Sequence, residues 1–159
     1  MTDPAELYQA VIEEHRRRPR HRGPLPVAQR TARRENPACG DVCSIQFQLD
    51  PPPSPQTAVD PAARVVAAGF TGAGCALSQA SASMLAAALT GRTVAEAKIL
   101  ADRVDALVRT GTASPDPTDM GDLAALTATH AFPARHACAL LAWQAALSAL
   151  AAPPSVLKD

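Results

Sequence analysis

The chain has 159 residues, 47% of them apolar but only 3% aromatic, and its 15 Lys+Arg balance its 15 Asp+Glu. That length suits one domain with a core of its own, and the core must be built from alanine, leucine and valine, whose small side chains let helices pack closely. A formal charge of zero argues against a general nucleic-acid or membrane-surface binder. With neither a basic-then-apolar N-terminal signal nor an apolar run of about 18 residues, the sequence reads as a soluble, cytoplasmic, single domain over 1–159 with no internal repeat.

In chain order, the spacing predicts a first helix from Asp3-Pro4-Ala5-Glu6 to Pro19. Asp3 can accept from the free amides, Pro4 suits the first turn and Glu6 stands at the capping-box offset. Leu7, Ala10, Val11 and Glu14 follow one face. The basic run from His15 to Gly23 reads either as a solvated helix end, with cations at its negative pole, or as a partner-docking surface. It lacks the interleaved aromatics that would stack on bases.

Residues 24–34 are compatible with an extended chain but patterned poorly. Val42 to Leu49 alternates well, with Cys43, Ile45, Phe47 and Leu49 on one face of a half-buried strand. Cys43 therefore reads as the top of the buried face rather than as an extra thiol of a site. Residues 50–62 carry five prolines and read as an exposed, extended loop. A strand from Arg64 to about Thr71 follows, antiparallel to the one before the loop.

Gly72-Ala73-Gly74-Cys75 then leads into a helix from Ala76 to about Leu89. A cysteine at a helix N-terminus has its thiolate favoured by the dipole. Ser78, Ser81 and Ser83 among alanines suit close helix packing. Thr93-Val94-Ala95-Glu96 is a capping box, and Gly111 follows the helix it opens. Thr112 to Asp119 is a loop, and Gly121 to Ala128 a short helix. The last helix opens at Phe132-Pro133, with Leu140, Trp143, Leu147 and Leu150 as its buried stripe. Residues 151–159 form a frayed tail.

Four cysteines raise the possibility of disulfides, but without a secretory signal a reducing compartment is expected, where cysteines bind metal or do chemistry. Their positions, 39, 43, 75 and 138, match no zinc-finger spacing. The context is more telling. Asn36-Pro37-Ala38-Cys39-Gly40-Asp41 sets a thiol and a carboxylate two residues apart in a turn, and Cys75 and Cys138 each stand where a helix begins. Three soft sulfurs and one hard oxygen can satisfy a tetrahedral zinc ion or hold an iron–sulfur cluster. Arg135, three residues before Cys138, can share its face. His130 and His136 read as surface or capping residues. No GxSxG, GxGxxG or Walker pattern is present, and nothing in the sequence places a base beside a serine.

Taken together, these residues resemble the SufU branch of the IscU/NifU N-terminal family of iron–sulfur cluster assembly proteins. Leu7-Tyr8-x-x-Val11-Ile12-x-x-His15 with Pro19-Arg20-x-Arg22-Gly23 is similar to the family opening. Asn36-Pro37-x-Cys39-Gly40-Asp41, Gly72-x-Gly74-Cys75-x-x-Ser78-x-Ala80-Ser81-x-Ser83-Met84 and Phe132-Pro133-Ala134-Arg135-x-x-Cys138-x-x-x-Ala142-Trp143 match its three ligand motifs, in order. The scaffold branch has a histidine just before the last cysteine; here that position is Ala137, and the longer insert around Gly121-Asp122-Leu123 is also SufU-like. The proline loop and Cys43 depart from the pattern.

The resemblance implies an α+β fold, with helices on one face of a three-stranded antiparallel sheet whose third strand lies near Val27 to Arg34. It implies one zinc ion on Cys39, Asp41, Cys75 and Cys138. It further implies a pyridoxal-phosphate-dependent cysteine desulfurase (SufS-type) as partner, whose histidine would take a place on the zinc and free Cys39 to accept persulfide sulfur for a downstream SUF cluster-assembly scaffold. Arg135 would hold Asp41 or stabilise the freed thiolate. The alternative is that the chain is itself a scaffold for a [2Fe–2S] cluster; a purely structural zinc domain or a disulfide-bonded binding module is the third reading.

Overall fold

A computed structural model describes residues 4–54, 57–112 and 117–151. The first helix, α1 (Pro4–Arg17), leads through an extended segment to three strands: β1 (Arg30–Glu35), β2 (Val42–Asp50) and β3 (Arg64–Ala73). They form one antiparallel sheet in the order β1-β2-β3. After it come α2 (Ala76–Leu89), α3 (Val94–Thr110), a 3-10 run (Pro117–Ala131), a single 3-10 turn (Pro133–Arg135) and α4 (His136–Ala151). The expected α+β architecture is the one observed.

The sheet positions the rest because β2 is amphipathic. Cys43, Ile45, Phe47 and Leu49 are buried on one face while Ser44, Gln46 and Gln48 alternate as half-buried residues on the other, the period of two that a half-covered strand requires. On the buried face α4 packs across β1 and β2, and α2 packs against β3. Residues between Arg22 and Gln29 cross the other face. The Gln46 side-chain oxygen accepts from the Leu25 amide at 2.7 Å, and the Gln29 side-chain oxygen accepts from the Leu49 amide at 2.7 Å. This crossing explains why β1 starts at Arg30 rather than near Val27: Pro24 and Pro26 have no amide hydrogen for a ladder.

The inward stripe of α1 is Tyr8, Val11, Ile12 and His15, not the expected Leu7, Ala10, Val11 and Glu14. Leu7 and Ala10 are exposed, whereas His15 is only 3% exposed. Burial of a polar ring is tolerated when it is hydrogen-bonded. His15 Nδ1 lies 2.7 Å from Ser83 Oγ on α2, and Nε2 lies 2.9 Å from Asp122 Oδ2 in the 3-10 run. His15 thus does not belong to the solvated helix end, and a base does stand beside a serine. Ser83 is fully buried, however, and its Oγ also accepts from the Arg20 amide at 2.7 Å, so this trio ties three segments together, with His15 and Asp122 lining a groove of about 310 Å³ from which the serine itself is withdrawn.

Helix α4 is buried nearly all round. Leu140, Trp143 and Leu150 are in the core as expected; Leu147 is only half-buried, and Ala139, Ala142, Ala145, Ala146 and Ala149 complete the burial. Small residues permit that because the helix lies between the sheet, α2 and α3. Ser81 Oγ donates to the Ala139 carbonyl at 2.6 Å and accepts from Trp143 Nε1 at 3.1 Å, locking α2 to α4. The predicted helix at 121–128 is instead part of a longer 3-10 run, broken at Gly121 (φ 58°, ψ −133°). Within the proline-rich loop, the buried Arg30 donates from Nη2 to the carbonyls of Ser54 (3.1 Å) and Thr57 (2.6 Å). The expected tail from 152 onward lies outside the described residues. Among the described residues no helix is long and apolar enough to cross a membrane.

Candidate metal centre

The β1–β2 hairpin closes through residues 36–41, and Asn36 organises it. Its amide donates to the Asp41 carbonyl (2.8 Å), and its own carbonyl accepts from Gly40 (2.7 Å) and Cys39 (3.3 Å). Its side-chain Oδ1 accepts from the Ala38 amide at 3.1 Å, an Asx-type turn. Gly40 at φ +78° supplies the left-handed residue. The turn lifts Cys39 into solvent and folds Asp41 inward, to 6% exposure.

The second ligand segment joins β3 to α2. Cys75 is the N-cap of α2: its Sγ accepts from the Ser78 amide at 3.5 Å, and Ser78 Oγ donates back to the Cys75 carbonyl at 3.1 Å. The Cys75 amide in turn donates to Asp41 Oδ1 at 3.3 Å. Gly74 makes room for that carboxylate, since a Cβ there would lie 2.8 Å from Asp41 Cγ and 2.5 Å from Ser78 Oγ. The third segment is the start of α4, where the 3-10 turn at Pro133–Arg135 delivers Cys138 in the first helical turn. Cys138 Sγ lies 3.9 Å from Cys39 Sγ and accepts from Asn36 Nδ2 at 3.8 Å.

Ligand atoms of Cys39, Asp41 and Cys138 all fall within 4.8 Å of one another. Cys75 Sγ falls outside that mutual set but adjoins it, as the electrostatics record. Burial raises the Asp41 carboxyl, yet the thiols of Cys75 and Cys39, the Cys75 amide and Ser78 together hold it below its ordinary value. The Cys138 thiol is pushed up to about 12, first by burial and then by the neighbouring Cys75 and Cys39. Asp41 Oδ2 is buried and, among the described residues, has no hydrogen-bond partner. A desolvated carboxylate oxygen without a donor is costly. Set among three thiols, it fits a cation, and a mixed sulfur–oxygen donor set suits zinc.

Cys43 stays out of the centre. It is 3% exposed on the core side of β2, and burial pushes its thiol up to about 12. The described cysteines are all free. His136 is turned away: its ring stacks on His130 (centroids 6.2 Å apart, 17° between planes), and its Nε2 lies 3.2 Å from the His130 carbonyl. Arg135 is exposed and lines a groove of about 640 Å³ with Glu6, Tyr8, Glu13 and Leu77. Among the described residues its guanidinium makes no hydrogen bond to Asp41. Two contributors escaped the sequence reading: the Asn36 side chain and the Ser78 amide, both donors to ligand sulfurs. An Asn directly before Pro37 and a serine three residues after an N-cap were the available signals.

A three-stranded sheet with helices on one face carries thiols and a carboxylate where two inter-element turns meet a helix start, an α+β domain with a candidate metal centre at one end. The chain belongs to the family of NifU-like N-terminal domains, whose model matches residues 7–139. It is 33% identical over 144 residues to the Streptococcus pyogenes serotype M1 protein named iron–sulfur cluster assembly scaffold protein IscU, covering 91% of this chain and 82% of that one. It is 34% identical over 139 residues to the Bacillus subtilis (strain 168) protein named zinc-dependent sulfurtransferase SufU, covering 87% and 86%. Among solved structures, the SufU of Fervidobacterium islandicum AW-1 superposes with a TM-score of 0.76 at 23% identity, over 91% of this chain and 97% of that one, a likeness of fold.

Proposed function

We propose that this protein is a zinc-dependent sulfur acceptor, which takes persulfide sulfur from a pyridoxal-phosphate-dependent cysteine desulfurase in the cytoplasm and relays it into iron–sulfur cluster assembly. The observation that carries this reading is the buried, partnerless Asp41 Oδ2 in the same 4.8 Å cluster as an exposed Cys39 and a more sheltered Cys138. Cys39, Asp41, Cys75 and Cys138 would hold the zinc. Bound zinc would keep the thiols deprotonated and quiet as nucleophiles.

Cys39 and Cys75 are both exposed, but Cys75 is tied to its helix as the N-cap of α2, whereas Cys39 stands in the hairpin turn where a partner's cysteine can reach it, and it is the acceptor on this reading. Once a partner's side chain takes its place and frees it, its thiolate attacks the outer sulfur of the desulfurase persulfide. A new S–S bond forms to Cys39 Sγ, the persulfide's own S–S bond breaks, and the desulfurase cysteine leaves as a thiolate, with no net oxidation. Ala137 beside Cys138, and the engagement of His136 with His130, leave the set without a histidine, which supports the acceptor over the scaffold. Arg135 supplies positive charge along the groove a partner would use. Arg135→Ala is expected to slow sulfur transfer, and an unchanged rate removes that role.

The scaffold reading, with a [2Fe–2S] cluster as cargo, uses the same donors and draws on the likeness to IscU. Cys39→Ser separates the two. The acceptor reading expects about one zinc per chain retained with desulfurase-dependent persulfidation lost. Full persulfide uptake by that variant, or a visible cluster spectrum on reconstitution followed by transfer to an apo-acceptor, favours the scaffold.

A further inference from the structure

The three thiols are not equivalent in what they receive. Cys75 Sγ accepts from the Ser78 amide at 3.5 Å, and Cys138 Sγ accepts from Asn36 Nδ2 at 3.8 Å. Among the described residues no N–H donor reaches Cys39 Sγ, which lies 3.9 Å from Cys138 Sγ and beside the Asp41 carboxylate. A hydrogen bond donated to a thiolate draws off electron density and weakens the sulfur as a nucleophile, and outer-shell donors tune ligands in this way.

We propose that Asn36 is a positioning residue that reserves reactivity for Cys39, by damping Cys138 through its side-chain N–H while its carbonyl groups shape the turn that exposes Cys39. This inference rests on Cys39 being the acceptor. One buried side chain serves both sulfurs: Oδ1 takes the Ala38 amide, Nδ2 faces Cys138, and Asn36 itself is 8% exposed. The backbone of the same residue bonds Cys39, Gly40 and Asp41. The two halves of the amide thus connect the hairpin to α4 and set which of two sulfurs 3.9 Å apart is the nucleophile.

The chemistry of the amide allows the two roles to be separated. Asn36→Asp keeps an acceptor for the Ala38 amide and replaces the N–H donor with oxygen. Asn36→Ser keeps a short acceptor that does not reach Cys138. Zinc-loaded wild type and both variants are treated with limiting iodoacetamide, and alkylation is mapped at each cysteine by peptide mass. The wild type is expected to react first at Cys39. In either variant the Cys39-to-Cys138 ratio falls about threefold to tenfold, the range one net hydrogen bond corresponds to. In cobalt-substituted protein the thiolate-to-metal charge-transfer band moves to lower energy as Cys138 becomes the stronger donor, a shift that a purely structural role for Asn36 does not produce. Because the two substitutions perturb the turn differently, either folded variant suffices. An unchanged ratio and band overturn the role of Asn36 while leaving Cys39 as acceptor; a wild type with no preference for Cys39 overturns the acceptor reading and this inference with it.

Discussion

At Asp41 one carboxylate oxygen accepts from the Cys75 amide while the other is buried with no partner among the described residues. The carboxylate can sit there only because residue 74 has no side chain. Gly74→Ala would put a Cβ 2.8 Å from Asp41 Cγ, pushing the carboxylate away from the thiols. The expected result is zinc affinity lowered about tenfold or more with the far-ultraviolet circular dichroism retained, measured by competition with a chromophoric chelator. Cys43 makes the opposite case. Two residues beyond Asp41 and on the buried face of its strand, it belongs to the core. Cys43→Ala should leave zinc stoichiometry unchanged and cost about 1 kcal/mol of stability by denaturant unfolding, the scale of a small buried deletion. Loss of zinc in that variant would make it a ligand after all.

Among the elements, α3 carries its start signal in four residues. The Thr93 amide donates to Glu96 Oε1 at 2.8 Å and the Glu96 amide donates to Thr93 Oγ1 at 3.1 Å. The Glu96 carboxyl is held below its ordinary 4.5, first by the Thr93 backbone N–H. A depressed carboxyl stabilises the fold above its unfolded value, and that contribution is lost as pH falls through the folded value. The melting-temperature gap between wild type and Glu96→Ala should therefore be full at neutral pH and close below about pH 4. A gap independent of pH would mean that the carboxylate does not cap. Helices α2 and α4 meet instead through a long-range contact, Ser81 with Ala139 and Trp143. Ser81→Ala strands the buried indole N–H and should cost about 1–3 kcal/mol, read by chemical unfolding with Trp143 fluorescence as the probe.

Over the whole molecule, the centre draws on a hairpin turn, a strand-to-helix turn and a helix start that are far apart in sequence. A metal bound to the folded chain in excess of its dissociation constant stabilises it by roughly 2.7 kcal/mol at a hundredfold excess. Stripping it with a chelator should lower the melting temperature by several degrees, and equimolar zinc should restore it. The His15–Ser83–Asp122 bridge is built on the same plan, joining α1, α2 and the 3-10 run. Its removal by His15→Ala should destabilise the fold without altering zinc content.

Local signals were legible in the sequence because their physics is local. The bounds of α2, the capping box and Gly111 stop of α3, the alternation of β2 and the turn chemistry of Asn36 to Asp41 each follow from residues within a few positions of one another. The segments that bring Cys39, Asp41 and Cys138 together were readable too, since a thiol, a glycine and a carboxylate at fixed offsets carry their own geometry. Tertiary structure decided what depends on partners distant in the chain. That His15 rather than Glu14 completes the inward face of α1 was settled by Ser83 and Asp122. Where β1 begins was settled by the extended segment crossing the sheet, and the partners of His136 by His130. That Cys138 receives an N–H from Asn36, and that Asp41 Oδ2 is left without one, follow from burial and approach over a hundred residues of chain, which no spacing rule encodes.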